Sequence, residues 1–78
     1  MDQADLSELI KRLEETGMLK PSGMFKPRGI GETHWLNMRL DYPWGIVLPK
    51  TFHGFVIGES KEDLARLWIK QTFTTRSS

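Results

Sequence analysis

Few residues in this chain could do covalent or metal chemistry. His34, His53 and Asp41 are the only set from which a metal site would be drawn. A zinc centre needs three or four convergent ligands, and the chain has no cysteine to supply a thiolate. Two imidazoles on separate segments read as packed or solvent-facing side chains, so neither a metal nor another cofactor is expected. Ser7, Ser22, Ser60, Ser77 and Ser78 are the candidate hydroxyl nucleophiles, and none lies in a G-x-S-x-G turn. The carboxylate pairs Glu14-Glu15 and Glu62-Asp63 lie near helix ends, where helix electrostatics accounts for them. Gly29-Ile30-Gly31 follows Lys26-Pro27-Arg28, which brings backbone N–H groups and cations together as an anion nest would. The segment matches neither the Walker A pattern nor the dinucleotide fingerprint, and it reads as a Gly-rich turn. A non-enzymatic chain is expected.

The elements that position these residues follow from periodicity. Leu6, Leu9, Ile10 and Leu13 form a helical stripe over residues 5–16, with Asp5 as N-cap and Gly17 at the left-handed C-terminal position. Glu8 and Arg12 are an i,i+4 pair on it. Residues 17–31 are rich in Gly, Pro and Lys and read as a long loop. Residues 33–41 alternate, with His34, Leu36, Met38 and Leu40 against Trp35, Asn37, Arg39 and Asp41, and read as a strand. Tyr42-Pro43-Trp44-Gly45 and Leu48-Pro49-Lys50-Thr51 have Pro at the second position of a turn. Strands at 45–48 and 52–57 follow, with Gly54 as a bulge or a close approach. A last helix over 61–73 is capped by Ser60 and carries Leu64, Leu67 and Trp68 on one side, ahead of a polar tail at 74–78. The expected fold is a single α+β domain in the order α-β-β-β-α. A three-stranded antiparallel sheet is flanked by an N-terminal and a C-terminal helix, both helices covering one sheet face.

Composition sets the function class. The chain has 78 residues and no cysteine, with 38% hydrophobic and 27% charged residues. That is globular, with room for one thin core. The acidic start, Met1-Asp2-Gln3-Ala4-Asp5, lacks the pattern of a signal peptide, and no apolar run approaches a membrane span. A cytoplasmic setting is expected. Net charge is +1, with acidic residues concentrated in 1–17 and basic ones in 18–50.

The order α-β-β-β-α, with Ser60-Lys61-Glu62-Asp63-Leu64-Ala65 opening the last helix, resembles double-stranded-RNA-binding domains. In that family this helix begins with a Ser-Lys-Lys run and is rich in Ala. Ser60, Lys61 and Ala65 fit, while Glu62 and Asp63 place negative charge where the family meets phosphate. The resemblance implies an RNA contact at this helix.

Protein binding is the leading expectation. Trp35, Asn37 and Arg39 would stand on the open sheet face, with Trp44 in an adjoining turn, and Trp and Arg are enriched at interfaces. An adaptor or an inhibitor fits this plainness, as in phage or mobile-element anti-defence proteins such as anti-CRISPR. Nucleic-acid binding through Lys20, Lys26 and Arg28 of the basic segment 18–50 is the alternative. A self-associating subunit is the second, making a homo-oligomer.

Overall fold

A computed structural model describes residues 3–25 and 29–73 of the chain. The apolar stripe of the first helix folds as α1 (Gln3–Glu15), and Leu6, Ile10 and Leu13 are buried. α1 begins two residues before the expected cap, so Asp5 lies inside the first turn, where a carboxylate favours the helix dipole. Its end is as the sequence implies. Gly17 has φ 78°, its N–H donates to Glu14 O at 3.1 Å and Met18 N–H donates to Leu13 O at 3.0 Å. This is a Schellman stop, which needs the left-handed residue that glycine supplies without strain. Glu8 and Arg12 approach to 3.8 Å on the exposed side.

The chain then enters β1 (Leu19–Pro21), a short 3-10 turn at Ser22–Met24, α2 (Glu32–Asp41), β2 (Trp44–Val47), β3 (Phe55–Gly58) and α3 (Lys61–Phe73). The sheet is antiparallel in the order β1-β2-β3. The α+β class, with a three-stranded antiparallel sheet between an N-terminal and a C-terminal helix, is as expected. One further helix, α2, is inserted between the first two strands.

Two expected elements differ. Residues 33–41 are helix rather than strand. Their Leu, Met and Arg residues favour a helix, and Gly31 opens it, its carbonyl accepting from Trp35 N–H at 3.0 Å. Tyr42 N–H closes it on Met38 O at 2.9 Å, and Pro43 cannot continue it. The first strand comes instead from within the expected loop 17–31. Leu19 pairs with Ile46, Lys20 with Gly45 and Pro21 with Trp44. Three residues ending in Pro suit an edge strand, where a missing N–H costs nothing. The other strands shift slightly. Trp44 joins β2 and Leu48 leaves it, and Phe52, His53 and Gly54 precede β3 instead of lying within it.

The two sheet faces carry different layers. Leu19, Ile46 and Val56 are directly paired and therefore point the same way. α1 and α3 pack on one another and on this face, closing a core of Leu6, Ile10, Leu13, Leu19, Ile46, Leu48, Leu64 and Ala65. The sharing of one face by the two terminal helices is thus as expected. α3 is capped as the sequence implies, with Asp63 N–H donating to Ser60 Oγ at 3.2 Å.

The opposite face carries an aromatic layer. Phe25 and Phe55 stack with centroids 4.8 Å apart, and Trp35 meets Phe55 edge-on at 6.1 Å. The Phe25 ring packs closely against Gly45, where a Cβ would come within 2.5 Å of it. Gly45→Ala therefore forces ring and strand apart, and overpacking of this kind costs about 1–3 kcal/mol. Urea denaturation checks this; an unchanged midpoint would mean that the ring moves aside freely.

Ser22 holds the 3-10 turn against the end of α2. It is buried, its N–H donates to Pro43 O at 2.9 Å and its Oγ lies 3.5 Å from Arg39 O.

Candidate functional site

The residues expected to share an open sheet face are redistributed by α2. Trp35 is only 7% exposed and belongs to the aromatic layer, so it packs within the fold rather than standing on an open sheet face. Arg39, four residues on, lies on the same side of the helix. It is exposed, and its guanidinium lies beside Gly23. Asn37 is exposed on the outer side. Strand and helix periodicities agree at i,i+4 and disagree at i,i+2, which is why Trp35 and Arg39 stay together and Asn37 does not.

Trp44 is half-buried against the main core. Lys61 Nζ sits 4.3 Å from its ring centroid and 2.8 Å from Glu14 Oε2. This arrangement ties α1, β2 and α3 together and engages Lys61 internally. The helix end that resembles an RNA-contacting one thus holds its cation against Glu14 and Trp44, beside the carboxylates of Glu62 and Asp63. Lys61→Ala is expected to cost about 1 kcal/mol, discounted for partial exposure, and the loss should shrink in high salt. Paired denaturation curves at low and high ionic strength read both effects.

Lys20 is half-buried, its Nζ 5.0 Å above the Phe25 ring. Lys26 and Arg28, the other expected basic-loop residues, lie outside the described residues, as does the expected tail at 74–78. Among the described residues no group of three His, Cys, Asp or Glu converges in a way that could hold a metal ion. No helix of the described residues is long and apolar enough to cross a membrane.

The most prominent surface feature is the connection between β2 and β3. Two successive turns build it. Thr51 N–H donates to Leu48 O at 3.0 Å and Gly54 N–H donates to Thr51 O at 3.2 Å. Leu48 N–H closes the whole loop on Gly54 O at 2.9 Å, and Thr51 Oγ1 reinforces it on Leu48 O at 2.6 Å. The first turn is the one that Pro49 implies. Gly54, with φ 83°, makes the return. At the tip, the Phe52 side chain is 96% exposed. Its ring meets His53 edge-on at 4.8 Å, and His53 tilts against Phe55 at 5.8 Å. An aromatic row therefore runs from buried Phe25 outward to a fully displayed phenyl ring.

Beside this loop, a groove of about 290 Å³ is lined by Val47, Leu48, Pro49, Lys50, Trp68, Gln71 and Thr72. The loop forms one wall and the last turns of α3 the other. Lys50 is its single charged lining group. Trp68 is half-buried there, and Phe73, 66% exposed, meets it edge-on at 6.0 Å. Phe52 and Trp68 are candidate surface residues that sequence reasoning did not single out, whereas Lys50 belongs to the basic segment 18–50. The available signal was Phe52 standing between two turn segments, Leu48-Pro49-Lys50-Thr51 and His53-Gly54, where no core requires a phenyl ring.

Comparison with protein-family models, with curated proteins and with solved structures finds no match to this chain. A functional reading therefore rests on the surface itself.

Proposed function

We propose that this chain is a small non-enzymatic protein-binding domain, an adaptor or an inhibitor, that docks its partner on the β2–β3 loop and the adjoining groove. One observation carries the reading: a phenyl ring 96% exposed on a loop closed by its own backbone hydrogen bonds. Exposing Phe52 to water gains the folded domain nothing. Buried at a partner surface, an aromatic ring is a typical anchor. Because the loop is already ordered, docking loses little conformational entropy. The groove fits an apolar segment of the partner, and Lys50 favours one that carries a carboxylate.

The test is capture of partner proteins from the source cell's lysate by the tagged domain and by Phe52→Ala, with and without nuclease. A stoichiometric protein retained after nuclease by the parent domain and lost by Phe52→Ala supports the reading. Equal retention by the variant overturns the surface assignment. Recovery that disappears with nuclease favours the nucleic-acid alternative, for which the row Phe52, His53 and Phe55 would offer stacking surfaces near Lys20.

A further inference from the structure

The two edges of the sheet are built differently. Leu48 N–H donates to Gly54 O at 2.9 Å, and Val47 N–H donates to Met18 O at 2.9 Å. In an antiparallel ladder, successive residues turn their N–H and C=O groups to opposite sides. Ile46 therefore bonds to Val56 of β3, and Gly45 bonds to Lys20 of β1. Val56 and Gly58 direct their backbone groups at β2, while Phe55 and Ile57 point theirs outward along the edge of β3. Among the described residues, the N–H groups of Phe55 and Ile57 and the C=O of Ile57 have no hydrogen-bond partner. Phe55 O accepts from Thr51 Oγ1 at 3.4 Å and keeps a second lone pair.

The β1 edge is guarded. By the same alternation its outward positions are Leu19 and Pro21, and Pro21 has no N–H. The β3 edge, Phe55-Val56-Ile57-Gly58, carries no Pro, no charge and no bulge, and all of it is only half-buried. Unlike an apolar patch, directional backbone groups specify their occupant, which is an extended strand.

A second β3 meets the requirement. A twofold axis through Val56 sets Phe55 of each copy opposite Ile57 of the other, and each such pair exchanges both N–H···O bonds. An axis through Phe55 or Ile57 would set an outward position of β3 against a residue outside the strand. A parallel twofold would set N–H against N–H. His53 and Glu59 flank the strand, both exposed, and neither forms an ion pair with another described residue. Antiparallel pairing brings the imidazole of one copy to the end where the carboxylate of the other stands, a donor against an acceptor. With β1 guarded, pairing closes at two copies instead of propagating.

We infer that the chain forms a homodimer by antiparallel pairing of β3 with β3 of a second copy. One continuous sheet results, with the terminal helices of both copies on the same face. A strand of 4 residues per copy makes the association weak and concentration-dependent.

Sedimentation equilibrium of the full chain from about 10 µM to about 1 mM tests association, and directed cross-linking tests the register. The mass should rise from 9.0 kDa toward twice that value. Ile57→Pro removes an outward N–H and none of the bonds to β2, so it should abolish the rise while the far-ultraviolet circular dichroism persists. The chain has no cysteine of its own. Val56→Cys places two thiols across the axis on residues with Cα atoms about 4.5 Å apart, within reach of a disulfide. Ile57→Cys places them diagonally, about 7–8 Å apart. Under oxidised glutathione, Val56→Cys should cross-link about tenfold faster or more. Random collision would instead cross-link the two at similar rates. A monomer at every concentration overturns the inference. So does a dimer that tolerates Ile57→Pro, or equal cross-linking at the two positions. The cysteine pair keeps the test decisive if Ile57→Pro does not fold. Partner capture through Phe52 is read separately, so either reading can fail alone.

Discussion

Replacing Trp35 with alanine is expected to cost a large part of the domain's stability while removing no exposed contact. The side chain is 7% exposed and meets Phe55, which in turn stacks on Phe25. Truncating a buried Trp costs about 3–5 kcal/mol. A domain of this length has only about 4–12 kcal/mol of stability in total. Loss of Trp35 also removes the one buried residue of α2, and the helix has no other deep anchor on the sheet. Urea denaturation followed by far-ultraviolet circular dichroism should show a midpoint lowered by a third or more. A midpoint close to that of the parent chain, combined with lost partner capture, would return Trp35 to the interface.

Phe52→Ala is expected to do the reverse. With 96% of the side chain exposed, its removal takes nothing from the core, and the shift in stability should stay within about 0.5 kcal/mol. The loop's hydrogen bonds run through the backbone and through Thr51, so its conformation should persist. Affinity for the captured partner should fall by about 2 kcal/mol or more, roughly thirtyfold, as for an interface anchor. Titration calorimetry with the purified partner measures this. An affinity unchanged within twofold would remove Phe52 from the interface. Together the two variants separate an aromatic that holds the fold from one that the fold displays.

The terminal helices were legible because each carries several turns of apolar stripe and its own stop or start signal, Gly17 for α1 and Ser60 for α3. The segment 33–41 was not legible as a helix. Its apolar residues at every second position also satisfy i,i+4, so the pattern fits two structures. What decides between them is non-local: Phe25 and Phe55, from either side of it in sequence, build the layer into which Trp35 fits. β1 was hidden for another reason. Three residues within a Pro- and Gly-rich stretch show no period, and only pairing with β2 makes them a strand. The same logic applies to the site. Trp35 and Phe52 are both large aromatics, and sequence alone does not say which one the chain covers. Burial is set by the layer assembled around each ring.

The insertion of α2 between β1 and β2 also has a kinetic consequence. β2, β3 and α3 are contiguous, and the β2–β3 pairs, from Val47 with Phe55 to Trp44 with Gly58, join residues near in sequence. β1 meets β2 only through pairs such as Leu19 with Ile46, after a long stretch of chain has been drawn in at an entropic cost. The C-terminal hairpin and its helix should therefore form the nucleus, with α1, β1 and α2 docking afterwards. Substitutions at Val56 or Leu64 should then slow folding. Those at Leu6 or Leu19 should mainly speed unfolding, leaving the N-terminal half as the part from which the native state is first lost.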